Sequence, residues 1–546
     1  MEKRFFLALL LAAAVVAITQ ILFPVTRLGP VTHSKSDSVS TSRTQSRSIA
    51  DIDQRPSLVQ PATNTVSTVM SAATPELTSL ETPKSIYRFS NIGGTPISVA
   101  LRDYKNLAPA GGAVELGVPG QPLLRYAIVV NGDTMRLDGI PFRSRVSTNQ
   151  VTYDAIVANH NVEISYEIQP DKYVVRVNGK VEGADQNTYL LTQLPTSLKP
   201  AESDTLSDLR NLAFSFKPER ENARIIRFGN LDPGEQRLES GPLVWAAVKN
   251  KYFVLGLLNP SGSTFNEVAL KGGPRTSKVA TTASATIVKS LKTGSFAFDL
   301  YAGPQQSTEL IAMGRDFDHV NPYGWRFLQG VVQPIAALCI RLLLWMHQVL
   351  RLSYGWVLII FGILIRVALW PLNQSAMRSS MKMQEIQPKL AEVQKKYKDK
   401  PEKQREEIMK VYRDAGASPF TALTGCLPAL IPMPVLFALF FVFQNTIEFR
   451  GVPFMWLHDI SIKDPLYILP VLMGISMYVL SWIGLRNAPP NPQAKTMSYM
   501  FPVMMTFILA NMASGLNLYY TAQNLAAIPQ QWLLAQERAR RKTSGR

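Results

Sequence analysis

At 546 residues the chain is too long for one hydrophobic core, which seldom grows past about 250–300 residues. It carries 57 Lys and Arg against 40 Asp and Glu, a formal +17, yet charged residues make up only 18% of it, against about a quarter in soluble domains. That balance argues against specific DNA binding, which needs clustered cations on a polar body, and fits a membrane protein whose apolar spans dilute basic loops. Two cysteines, Cys339 and Cys426, exclude a disulfide framework and a four-thiolate metal site.

Residues 1–24 open with Lys3 and Arg4 and continue as an apolar run from Phe5 to Phe23. Such a run rises roughly 30 Å as a helix, whereas the apolar part of a signal peptide is only about 7–15 residues long. The reading is an uncleaved transmembrane anchor with its basic end in the cytoplasm. Residues 25–84 read as a flexible periplasmic linker, because positions 31–84 hold 20 Ser or Thr and few large apolar groups. Such a stretch cannot bury enough surface to offset its ordering entropy.

From 85 to 320 the pattern changes to short alternating runs, among them those starting at Ile97, Tyr126, Val162, Tyr173 and Ser295. Turn signals separate them, including Asn131-Gly132, Pro170-Asp171 and Asn178-Gly179. Period-two strands with regular turns predict a large antiparallel β-sandwich, placed in the periplasm because it follows the anchor.

Past residue 320 the chain turns apolar, and no acidic residue occurs between Asp318 and Glu385. Segments 353–372, 420–443, 466–485 and 516–534 are predicted to span a bilayer, with a shorter one at 497–512. Residues 321–352 include a further apolar stretch that carries Pro334, Arg341 and His347. Charge decides its place. The connector 373–419 holds 11 basic and 7 acidic residues, and the tail 535–546 is also basic, whereas the 446–464 loop has two basic and three acidic residues. Only if 321–352 lies flat on the periplasmic surface do all basic loops fall on the side of Lys3 and Arg4. The fold class is therefore mixed: six transmembrane helices, both termini cytoplasmic, plus the sandwich. Within 373–419, apolar positions Met381, Ile386, Leu390, Val393 and Tyr397, then Ile408 and Tyr412, describe a cytoplasmic helical hairpin.

Arg366 is the sharpest functional signal. It lies in the cytoplasmic half of a predicted span, and no Asp or Glu occurs between 466 and 534 to pair with it. Snorkelling to the interface is one reading; a water-filled cavity with a fixed positive charge is the other, and intramembrane charges usually face cavities. On the last span, Asn517, Tyr520 or Thr521, Asn524 and Gln531 recur at helical spacing, so one face is polar. That face serves a hydrated groove, interhelical hydrogen bonds, or both. Fourteen of 18 methionines follow residue 340, a composition that suits surfaces accepting varied apolar partners and equally suits ordinary packing between helices. Catalysis has little support: no histidine follows His458, and no nucleophile, nucleotide or zinc pattern appears. No cofactor or metal is implied.

The run Leu364-Ile-Arg366-Val-Ala-Leu-Trp370-Pro371-Leu372 resembles the YidC family of membrane-protein insertases. So do Gly425-Cys426-Leu-Pro428 with Met433-Pro434, Trp456-Leu-His458-Asp459-Ile-Ser461, Asp464-Pro465-Leu-Tyr467, and Ser514-Gly515-Leu-Asn-Leu-Tyr519-Tyr520 with Asn524. The resemblance implies an inner-membrane insertase and chaperone for nascent membrane proteins, working alone or with the Sec translocon, in contact with the ribosome and membrane lipid and active as a monomer. It also implies that the family's positive groove residue is Arg366 and its groove-lining tyrosine Tyr520; with Trp370, Asn517, Thr521 and Asn524 these are the candidate substrate groove. An apolar slide would comprise Met433, Phe437, Met504 and Met505, and the hairpin contact Met381, Met383 and Pro388. The chain departs from some relatives in carrying Gly362 where Thr can occur and Pro432 where a Gln can. A polar-solute transporter and a membrane-anchored envelope-binding module are the alternatives. The first would show as solute flux; the second would work without 353–534.

Overall fold

The structure, a computed structural model, describes residues 75–275, 279–321, 323–324, 328–371, 373–374, 389–390, 392–398, 400–414, 433–486 and 492–544. The predicted anchor, most of the linker, and Met381, Met383 and Pro388 lie outside the described residues.

Among the described residues, eighteen antiparallel strands build the chain up to Pro304. A four-stranded sheet runs β1 (Leu77–Glu81), β2 (Ser85–Ser90), β3 (Thr95–Lys105) and β4 (Ala113–Glu115). The second sheet has 14 strands; its path passes through β5 (Arg125–Val130), β14 (Gln236–Lys249), β15 (Phe253–Leu258), β18 (Ser295–Pro304), β10 (Val174–Val181) and β9 (His160–Ile168). Alternation sets the inner face: in β9, Val162, Ile164, Tyr166 and Ile168 are buried while Glu163 and Glu167 are exposed. One core binds both sheets, with Trp245, Tyr87, Tyr166 and Phe253 among its largest buried side chains. The large antiparallel β-sandwich is thus present.

The turn signals divide. Asn131 and Gly132, at φ 51° and 95°, make the left-handed pair that a tight hairpin requires. Asn178-Gly179 is no turn: both residues lie within β10, paired to β9 and β18. A Cβ on Gly179 would fall 2.1 Å from the Phe296 ring, so glycine here makes room for an aromatic on the neighbouring strand. The hairpin between β8 (Gln150–Val157) and β9 turns at Ala158-Asn159, φ 46° and 67°, a pair that carries no glycine to announce it.

Two short helices, α1 (Thr205–Arg210) and α2 (Ser307–Ala312), decorate the sandwich. The C-terminal region is helical: α3 (Gln329–Leu350), α4 (Tyr354–Ala368), α5 (Pro401–Asp414), α6 (Met433–Asn445), α7 (Ile468–Leu485), α8 (Pro492–Leu509) and α9 (Ser514–Ser544). Among the described residues, α3 and α7 are long and apolar enough to cross a membrane, while α4 is apolar but shorter. A left-handed Arg351 turns α3 into α4, and there His347 stacks on Tyr354 with ring centroids 4.0 Å apart. Helix α9 packs against α4 and α7, and α7 packs against α8. A second core joins α3, α4, α6, α7 and α9 through Phe361, Leu439, Phe443, Met473 and Tyr519.

Candidate functional site

Arg366 sits in the last turn of α4, and α9 supplies its partner. Its Nη2 donates to Gln530 Oε1 at 2.9 Å, and Gln530 Nε2 donates onward to the Trp370 carbonyl at 3.0 Å. Gln530 is 1% exposed. The sequence offered no carboxylate for Arg366 and did not single out Gln530; Gln531, read on the polar face, lies beside Gly484 of α7, on the same side of α9 as Asn524. Gln530 lies roughly 120° around the helix from Asn524, at 100° per residue, so it faces α4 rather than extending the stripe. A neutral carboxamide therefore orients the guanidinium without cancelling its charge.

The stripe itself faces the other way. Asn517, fully buried, donates from Nδ2 to the Leu509 carbonyl of α8 at 3.0 Å, and Asn524 Nδ2 donates to Ser476 Oγ of α7 at 3.0 Å. Thr521 Oγ1 donates to the Asn517 carbonyl one turn back, at 2.8 Å. Interhelical bonding thus uses two of the polar side chains read as groove lining. Trp370 Nε1 donates to Gln374 Oε1 at 3.2 Å. Three polar atoms in this region are buried with no hydrogen-bond partner among the described residues: Arg366 Nε, Asn517 Oδ1 and Tyr520 Oη. Unsatisfied buried polar atoms are rare, and in a packed helical region they mark places a polar guest or water can use.

The structure joins Arg366, Trp370 and Gln530 directly and sets Asn517, Thr521 and Asn524 on another face of α9. Phe437 on α6 and Met505 on α8 are half-buried against the helical core; Met504 is half-buried beside Met505. Met433 begins α6, and its side chain is outside the described residues. Gly362 has a packing reason: a Cβ there would stand 3.1 Å from the Tyr519 carbonyl and 3.4 Å from Ala522 Cβ, so α4 and α9 approach backbone to backbone. A threonine would push them apart.

The segment between α6 and α7 is held by residues that the sequence singled out only through resemblance. Asp464, fully buried, accepts from the Leu466 and Leu469 N–H groups at 3.0 and 2.8 Å, at the start of α7, and from Trp456 Nε1 at 3.3 Å. Asp459 Oδ1 accepts from the Ser461 N–H at 2.7 Å. Short polar side chains turning back onto the backbone explain these motifs as a built turn.

The architecture is a large antiparallel β-sandwich followed by apolar helices packed around a half-buried arginine, two of the described helices being long and apolar enough to cross a membrane. Residues 78–338 match the family model "YidC periplasmic domain", and residues 345–542 match "60Kd inner membrane protein". The chain is 32% identical over 399 residues to "Membrane protein insertase YidC" of Chlorobaculum tepidum, covering 68% of this chain and 65% of the relative. To the protein of the same name from Chlorobaculum parvum it is 30% identical over 422 residues, covering 73% of this chain and 70% of the relative. The chain thus spans just under two thirds of the first relative's length and slightly more of the second. A crystal structure described as an active YidC insertase with its first transmembrane domain resolved is 18% identical, with 84% of this chain and 93% of that one covered and a TM-score of 0.33. The chain belongs to the YidC family of membrane protein insertases, inner-membrane proteins with a periplasmic domain. Neither the transporter nor the envelope-binding alternative is favoured.

Proposed function

We propose that this protein moves hydrophobic segments of nascent membrane proteins from the cytoplasm into the inner membrane, making and breaking no covalent bond. The observation that carries the reading is Arg366: a cation in an apolar helix, oriented by a neutral glutamine, beside buried polar atoms that have no partner among the described residues. Moving the polar flank of a substrate through hydrocarbon is costly because its hydrogen bonds to water are lost. Arg366, Trp370, Tyr520 and the Asn517–Thr521–Asn524 face offer replacement partners. Phe437, Met504 and Met505, with Met433, form the apolar wall along which the hydrophobic segment leaves into lipid. An unneutralised cation favours flanks bearing carboxylates.

Six spans complete the arrangement: the anchor at 1–24, then 353–372, 420–443, 466–485, 497–512 and 516–534. Helix α3 has the length to span, but loop charge favours its lying on the periplasmic surface within 321–352, with 25–84 and 85–320 outside the cytoplasm. Its exposed face, with Leu338 and Trp345 beside Arg341, suits the lipid interface. The hairpin 373–419, through Met381, Met383 and Pro388, receives the emerging chain, and the basic tail 535–546 faces the ribosome. The protein acts as a monomer, alone or beside the Sec translocon.

A photo-crosslinker at Tyr520 is expected to capture a ribosome-bound single-span nascent chain, and proteoliposomes containing this chain alone to insert a small phage-coat-like protein. Crosslinks to lipid and neighbouring helices only would remove the groove reading.

A further inference from the structure

The segment joining α6 to α7 is bonded on two sides. Toward the sandwich, Arg450 Nε donates to Glu202 Oε1 at 2.7 Å, and Nη2 donates to the Ala201 carbonyl at 2.8 Å. The Glu202 and Arg450 side chains are only 4% and 5% exposed, and the guanidinium lies 5.3 Å from the centre of the Phe253 ring. Ile447, three residues earlier, is part of the sandwich core. Toward the helices, the Ile462 and Ile460 carbonyls accept the Ser514 and Gly515 N–H groups at 2.6 and 2.9 Å. These are first-turn donors of α9, which have no partner within their own helix.

The α9 end of this strap is tightly closed. Every residue from Ser514 to Tyr519 is buried. A Cβ on Gly515 would meet Phe443 of α6 at 2.9 Å, the Ile460 carbonyl at 3.2 Å and Leu358 of α4 at 3.3 Å. Three helices and the strap therefore converge where no side chain fits. Asn517, where the polar face of α9 begins, is two residues beyond Gly515.

We propose that residues 446–462 are a plug sealing the sandwich-side end of the α9 groove, and that the Glu202–Arg450 pair makes the sandwich the part that holds it shut. Arg450 and Glu202 are then positioning residues, acting on the groove through the strap. A desolvated ion pair has no inexpensive half-separated state, because either partner alone is a buried charge. The pair therefore behaves as a latch with two positions rather than a spring. The inference rests on the groove reading and on the sandwich lying outside.

The test uses the full chain in spheroplasts, with Cys339→Ser and Cys426→Ser as background and Ser514→Cys as reporter. A membrane-impermeant maleimide is added from outside. Glu202→Gln and Arg450→Gln are expected to label the reporter at least tenfold faster than the parent. The exchanged pair, Glu202→Arg with Arg450→Glu, is expected to return most of the protection. Gly515→Ala, which displaces the plug without touching the sandwich, is expected to accelerate labelling while the sandwich stays protease-resistant. Ile156→Cys, on the exposed surface of the sandwich, reports the side: if it does not react from outside, the topology has failed and not the plug. If Ile156→Cys reacts while the reporter stays slow in Glu202→Gln, Arg450→Gln and Gly515→Ala, the inference is overturned. Should the single charge variants lose protease resistance, Gly515→Ala decides for the plug. The exchanged pair then decides for the latch, and a folded exchanged pair that labels fast removes it.

Discussion

Two arginines divide the molecule. Arg450, where the strap meets the sandwich, is buried against a carboxylate; Arg366, among the helices, is held by a carboxamide. The first arrangement cancels charge and fixes position. The second fixes position and leaves the charge in place. The contrast teaches that the sandwich end is built for rigidity, and that the helical end keeps an electrostatic feature that a structural role alone does not require. Removing Arg450 should accordingly be the most damaging single change. Arg450→Ala leaves Glu202 buried and unpaired, which typically costs about 3–5 kcal/mol. Calorimetry of the full chain in detergent should show the sandwich transition fall, while Arg366→Ala leaves it unmoved. An equal fall in both would erase the distinction.

Lys249 sharpens the comparison from within the sandwich. Like Arg366 it is a cation bonded to a carboxamide, Nζ to Asn321 Oδ1 at 2.8 Å, though more deeply buried. Burial, helped by the nearby Arg227 charge, pushes its ammonium down to about 7. The unfolded chain keeps that proton to about pH 10.4, so between those values the unfolded state binds more protons and stability rises with pH. From pH 7 to 9 the parent should gain up to about 2 kcal/mol relative to Lys249→Met, at no more than about 1.4 kcal/mol per pH unit. Calorimetry of the pair at both pH values reads the difference. A lysine answers burial by shedding its proton; an arginine cannot, so Arg366 keeps its charge among the apolar helices.

Much of this was legible in the sequence. Alternation in strands such as β9 and a lone Arg in an apolar run are signals carried by the residues themselves. What was hidden is relational. Gln530 drew no notice, because nothing in α9 announces that a second face, away from the polar stripe, meets α4. Arg450 read as one more charge in an outer loop, since its partner lies 248 residues away in sequence. Gly179 read as a turn because its purpose, space for Phe296, belongs to the neighbouring strand.

Turning the second arrangement into the first is a direct experiment on function. Gln530→Glu places a carboxylate where the carboxamide meets Arg366 and should neutralise the groove. Clients with acidic outer tails should insert roughly tenfold more slowly, about 1.4 kcal/mol, with neutral tails little affected. Insertion assays on paired clients in proteoliposomes give the ratio. Equal slowing of both would mean that groove polarity, rather than Arg366 charge, is what clients use.

The smallest expected effect concerns Asn524, where hydrogen bonding between helices and groove lining predict different things. Its bond to Ser476 Oγ is an ordinary interhelical contact, and such bonds average only about 0.6 kcal/mol in membranes. If it is only that, Asn524→Ala and Ser476→Ala should lower stability alike and insertion alike, because each deletes the same bond. If the Asn524 carboxamide also meets the client, its removal should slow insertion while Ser476→Ala does not, at equal thermal stability. The double variant closes the cycle. A coupling near 0.6 kcal/mol in stability, with none in insertion, would assign the bond to the fold and the remaining Asn524 effect to the substrate, on a helix that already commits Gln530, on another face, to Arg366.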